Sequence, residues 1–309
     1  MDDFYKTLLI NSKQMIEDIR EEKLMNKEHI DIEYLAFAAL LMYYDTSLIH
    51  VFDEIFSNTN IIYIDEEIGE FIGKKYNLNE EQIEKVREHA PYSFYDSTLT
   101  KSKKRMQLER TIYVNYNEDV EPCLILRDLI HQLNHVINSY EDPIIERNGE
   151  MYSRMGFSFD KLKDRKVTGL LLEEALNKIE TKEICDCVGY LTTMDISDES
   201  IRKDLDKYTG ISDILEEEYE QTENRIADII EPLFENDELV QKLIESRIDA
   251  NIFPVINFFD KTMGKHSFEC LLQNLNKIDN PKYDIEAQEE ASTIAKTLIK
   301  KYNDETLQK

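Results

Sequence analysis

Residues 122–138 read Pro-Cys-Leu-Ile-Leu-Arg-Asp-Leu-Ile-His-Gln-Leu-Asn-His-Val-Ile-Asn. Pro122 suits the first turn of a helix, where its fixed φ is pre-organised and its missing N–H costs nothing. The apolar residues after it extend the expected helix to about Tyr140. His131 and His135 then lie one turn apart on one face, which lets a helix offer two ring nitrogens to a single tetrahedral cation. Spacing alone proves little: six histidines in 309 positions produce such a pair by chance in roughly one chain in ten. The flanking sequence therefore has to decide.

Upstream, Thr111-Ile112-Tyr113-Val114-Asn115-Tyr116 alternates β-branched and aromatic residues like a strand, and Asn117-Glu118-Asp119 turns the chain into the helix. Downstream, a polar connection is expected from Asp142 to Lys166. Thr168 or Gly169 then starts a second strong helix, Leu170 to about Ile184, which contains Leu172-Glu173-Glu174-Ala175-Leu176-Asn177.

A strand, a His-x-x-x-His helix and a later helix bearing a glutamate before a small residue together resemble the gluzincin (thermolysin-like) clan of zinc metallopeptidases. The resemblance spans about Thr111 to Ile184, a quarter of the chain. It implies a Zn²⁺ cofactor held by His131, His135 and Glu174, and peptide-bond hydrolysis by water. Matching the glutamate that precedes the small residue picks Glu174. Glu173 stays open as an alternative, because Leu172, Ala175, Leu176 and Ile179 define an apolar face from which Glu174 points nearly away.

The main departure is Gln132. The family has glutamate there, the general base that takes a proton from the attacking water and passes it to the leaving amine. A glutamine amide has no useful basicity, so hydrolysis is expected to fall by about 10²–10⁴ while the imidazoles stay free to bind metal. Both a natural pseudopeptidase and an isosteric replacement of glutamate fit this position. A second departure is Lys178, where the family commonly has a carboxylate that orients an imidazole; Asp128 or Glu180 is the expected substitute. Tyr219 is the candidate for stabilising the oxyanion, with Tyr208 and Tyr190 as rivals. Strand 111–116 is expected either to receive an extended peptide at its edge or to serve as sheet core.

Composition narrows the alternatives. With 64 acidic against 37 basic side chains the formal charge is −27, a field that repels nucleic acid and anionic membranes and attracts cationic peptides. No stretch approaches the ~18 apolar residues of a membrane span, and Met1-Asp2-Asp3-Phe4-Tyr5 lacks a signal-peptide pattern, so a soluble protein is expected, cytoplasmic or one that has lost its leader. Cys123, Cys185, Cys187 and Cys270 are expected to be reduced thiols, since Cys185-Asp186-Cys187 has no second pair to complete a metal site. No phosphate-binding glycine loop is present.

Only 8 Gly and 6 Pro occur and Trp is absent, which favours helices with short connections. Helices are expected over Asp2–Met25, Asp31–Tyr44, Glu80–His89, Asp198–Lys207, Asp213–Phe234, Asp237–Arg247, Phe253–Leu275 and Ile285–Tyr302. A strand is expected at Asn60–Asp65 and a loop at Ala90–Met106. The fold class is thus α+β, predominantly helical, with a zinc-peptidase-like core, a small sheet and helical N- and C-terminal parts. Residues 1–110 form a mixed N-terminal region and 111–309 the core with its helical continuation. The function expected is a zinc metallopeptidase acting on peptide or protein, impaired at Gln132; the alternative is a non-catalytic peptide- or protein-binding module. Oligomeric state is not readable.

Overall fold

In the computed structural model, residues 2–23, 28–89, 92–102, 105–117, 119–140, 144–147, 149–161, 166–213, 222–249, 251–278 and 284–306 are described. Backbone contacts divide the chain into two compact units, Met1–Val136 with Thr181–Glu217, and Ile137–Glu180 with Glu218–Lys309. Two helices, α6 (Pro122–Asn138) and α7 (Leu170–Thr192), run unbroken through the division points.

The first unit opens with α1 (Asp2–Glu22) against α2 (Ile30–Tyr44). Helix α2 is buried along its whole length from Ile30 to Leu41, so its two buried acids need partners. Glu33 accepts from Arg20 Nε at 2.8 Å and Tyr63 OH at 2.7 Å. Asp31 accepts from Lys207 Nζ at 2.8 Å and Tyr208 OH at 3.1 Å. After α3 (Ile49–Asn58), β1 (Thr59–Ile64) and α4 (Ile68–Tyr76) comes α5 (Glu80–His89). A capping box opens it: Gln82 N donates to Asn79 Oδ1, and Asn79 N to Gln82 Oε1, each at 3.0 Å.

The sheet overturns one expectation and decides between the two readings of strand 111–116 in favour of sheet core. The stretch expected as a loop holds β2 (Ser93–Ser102) and the start of β3 (Arg105–Asn115), paired antiparallel from Ser93↔Val114 to Ser102↔Arg105. The polar sequence that suggested a loop belongs to a strand at the end of the order β1-β3-β2, made regular by its pairing with β3. Conversely, strand 111–116 is not an edge. β3 is central, parallel to β1 from Thr59↔Arg110 to Ile64↔Asn115, and both its ladders are occupied. Helix α8 (Glu199–Asp206) completes this unit, capped by Asp198, whose side chain accepts from Ser200 N and Ile201 N.

The second unit corrects the expected polar connection. The described residues from 144 to 168 form an antiparallel meander of β4 (Ile144–Arg147), β5 (Glu150–Met155), β6 (Ser158–Lys161) and β7 (Lys166–Thr168), in that spatial order. Short strands rich in Glu, Arg and Lys give little apolar alternation, so their pairing was invisible to periodicity. Beyond α7 lie α9 (Thr222–Ile230), a 3₁₀ turn (Glu231–Glu235), α10 (Asp237–Ile248), α11 (Phe253–Met263), α12 (Ser267–Leu275) and α13 (Asp284–Thr306). The run expected as one helix from Phe253 to Leu275 is broken at Gly264, whose φ of 105° a residue with Cβ rarely adopts. Leu172 and Leu176 of α7 join Ile226, Leu243, Phe259 and Leu298 in one core. The fold class, α+β and predominantly helical, holds. No helix among the described residues is long and apolar enough to cross a membrane.

Candidate metal centre

Helix α6 is enclosed on nearly all sides. From Ile125 to Ser139 every residue is buried except His131, so the gap in its packing falls at the first histidine. His135 is 3% and Gln132 7% exposed. Asn134, fully buried between them, accepts a hydrogen bond from Tyr44 OH. That bond fixes the turn carrying both rings.

The two imidazoles converge as the spacing required. Their Nε2 atoms are 3.1 Å apart, with ring planes at 88°. Two nitrogens bound to one tetrahedral Zn²⁺ at about 2.0–2.1 Å stand roughly 3.3 Å apart, so little adjustment separates this pair from a chelating one.

The third donor is set by the phase of α7. Thr181 Oγ1 lies 3.5 Å from His131 Nδ1, at the outer limit of a hydrogen bond. Glu174 precedes Thr181 by seven residues, which on a helix returns to within about 20° of the same direction. Glu174 is half-buried, and its carboxylate, His131 and His135 offer ligand atoms that all lie within 4.8 Å of one another. Among the described residues no other His, Cys, Asp or Glu group meets in this way. The apolar-face arithmetic that argued against Glu174 fails because α7 is packed on more than one side: Leu172 and Ala175 are buried, and so is Glu173, on a third face.

Compared with protein-family models, with curated proteins and with solved structures, the chain gives no match. The case for a metal centre therefore rests on its own geometry.

That geometry separates the two glutamates. Glu173 is fully buried and paired with Arg247, whose Nε lies 3.2 and 3.0 Å from its two oxygens and whose Nη2 lies 2.6 Å from Oε1. It also accepts from Phe157 N at 2.8 Å. Glu180, expected to orient an imidazole, sits 2.5 Å from Arg247 Nη1. Asp128, the other expected orienting group, accepts from Arg127 Nε at 3.2 Å and from Tyr92 N at 3.3 Å. Thr181, not considered from sequence, is the polar group beside His131. Its seven-residue spacing from Glu174 was the available signal.

Tyr219 lies outside the described residues. Of its rivals, Tyr208 is buried with its hydroxyl on Asp31, and Tyr190 is 41% exposed with its ring against Tyr5. Cys185 and Cys187 are free thiols outside the cluster; burial raises both, Cys187 to about 11, as it raises Cys123 to about 11. Lys178 is half-buried.

The donor set fits zinc. Two neutral imidazoles and one carboxylate form a three-ligand set of the kind that leaves a coordination position for water or substrate. The ligand atoms of the trio lie within 4.8 Å of one another, and glutamate, with three rotatable side-chain bonds, adjusts its carboxylate to a tetrahedral edge by changing rotamer.

Proposed function

We propose that this chain is a zinc-site protein of the gluzincin peptidase type, with His131, His135 and Glu174 as ligands and Gln132 at the general-base position. The observation that carries the reading is the meeting of two imidazoles and a carboxylate from a separate helix, with His135 buried and His131 and Glu174 half-buried. When bound, Zn²⁺ supplies Lewis-acid chemistry: it acidifies water and polarises a carbonyl oxygen.

The chain's own residues determine how far hydrolysis can proceed. Gln132, adjacent to His131 on an enclosed helix, holds and orients a water through its amide but does not accept the proton, so peptide hydrolysis by this form is weak or absent. The polypeptide substrate is taken up in extended form. β2, at the edge of the sheet order, is the strand to which such a peptide adds, and Tyr92, just before it, is tied to Asp128 one turn before His131. The acidic field favours cationic peptides over anionic polymers.

Gln132 also supports a second reading, a binding module that holds a peptide or protein without cutting it. Restoring the carboxylate separates the two. Gln132→Glu, assayed against a peptide library, is expected to gain chelator-sensitive cleavage by about 10²–10⁴ over the parent. Persistent inertness at full zinc occupancy favours the binding module.

A further inference from the structure

Helix α7 is gripped by a buried cation. Arg247, near the end of α10, is 0% exposed, as is Glu173, and Glu180 is 1% exposed. Its guanidinium faces Glu173 through Nε and Nη2 and Glu180 through Nη1 at 2.5 Å. Glu173 and Glu180 are seven residues apart, so they share one face of α7, and Glu174 and Thr181 are displaced from them by one residue, about 100° around the axis. One planar group thus holds the two turns that bracket Glu174.

A guanidinium suits this task because its rigid fork donates to Glu173 in fixed directions while its spread charge also pairs with Glu180, whereas an ammonium is a point charge. The support extends outward. Arg154, 3% exposed, donates to the carbonyls of Gly156, Arg247 and Ile248, tying the β5–β6 turn to the end of α10. The buried charges, two arginines and two glutamates, balance. The lever is long: a glutamate carboxylate stands roughly 6 Å from the helix axis, so a 20° rotation of α7 moves it by about 2 Å, more than a zinc–ligand bond tolerates.

We infer that Arg247 is a positioning residue for the metal centre: by gripping Glu173 and Glu180 it sets the rotation and height of α7 and thereby aims the Glu174 carboxylate. The inference rests on the zinc reading above, and its test separates the two.

The full chain and its Arg247→Lys and Glu180→Gln variants are titrated with Zn²⁺ in competition with a chromophoric chelator. Each is then loaded with Co²⁺ for its visible absorption spectrum, and folding is checked by far-UV circular dichroism. Glu180→Gln keeps the shape and an acceptor for Arg247 while removing one charge. Expected are one tight site in the parent, a 10–100-fold weaker site in Arg247→Lys with a weakened and shifted Co²⁺ spectrum, and a smaller loss in Glu180→Gln, all with parental helix content. Folded variants with parental affinity and spectrum would overturn the positioning role. So would failure of both variants to fold, which would make Arg247 a stability residue alone. A parent chain that binds no Zn²⁺ would instead sink the zinc reading itself.

Discussion

Arg247 and Glu173 form an ion pair with no exposure to solvent, at N···O distances from 2.6 to 3.2 Å. Breaking such a pair from one side strands a charge in a medium that cannot solvate it. Glu173→Ala is therefore expected to destabilise the second unit by about 3–5 kcal/mol. Because Arg247 also pairs with the buried Glu180, relief requires removing all three charges: Glu173→Leu with Glu180→Gln and Arg247→Met should recover much of that loss in stability. Denaturant unfolding followed by circular dichroism checks both, and a triple variant less stable than Glu173→Ala would contradict the argument.

Gly156 closes the same network from the strand side. Its φ is +53°, and a Cβ there would stand 2.0 Å from Glu173 Oε2. A free glutamate could swing away, but this one is held by Arg247 and by Phe157 N. Gly156→Ala is expected to lower stability by roughly 1–3 kcal/mol from backbone strain, with further loss from the displaced carboxylate. Zinc affinity should fall with it, because the same displacement reaches α7. Thermal unfolding and the chelator competition read the two effects, and an unchanged melting temperature would refute the packing described.

His29 supplies a pH dependence. Its ring lies against both Tyr63 and Tyr116, at centroid distances of 4.3 and 3.9 Å. Burial lowers its pKa from the ordinary 6.5 and Arg20 adds to the lowering, while Asp31, Glu28 and Asp65 oppose it. The unfolded chain then takes up the proton first. This contribution is full above about pH 6.5 and is lost as pH falls towards the lower folded value. His29→Gln is expected to flatten the stability profile between pH 7 and 5 relative to the parent; parallel profiles would contradict it.

The thiols make an independent check on burial. Cys270 is exposed, whereas Cys123 and Cys185 are buried and Cys187 is partly so, with pKa values raised by desolvation. Thiolate is the reactive form. Alkylation at pH 8 followed by peptide mass spectrometry should mark Cys270 first and the other three only on unfolding or at strongly alkaline pH. Early labelling of Cys185 would place the α7 packing in error.

The site's helices were legible for a local reason. Pro122, the i, i+4 histidines and the periodic leucines of α7 all act within a few turns, where sequence spacing maps directly onto space. The strands that failed to register owe their existence to partners. β2 and the short strands β4 to β7 have little apolar alternation in sequence, and only pairing across the sheet makes them regular. Arg247 was illegible for a related reason. It lies 74 residues from Glu173 in sequence, and one arginine at a helix end looks like any other until burial shows what it touches. Glu174 was the intermediate case, since its motif match was local while the helix face it shares with Thr181 gained meaning only once Thr181 met His131.

The most direct test is zinc stoichiometry by metal analysis of the metal-replete, desalted chain and its ligand variants. One equivalent per chain is expected, lost on His131→Ala or His135→Ala, strongly reduced in Glu174→Gln, and retained in Gln132→Glu. Well under one equivalent in the parent, or a content unchanged by His131→Ala, would contradict the account.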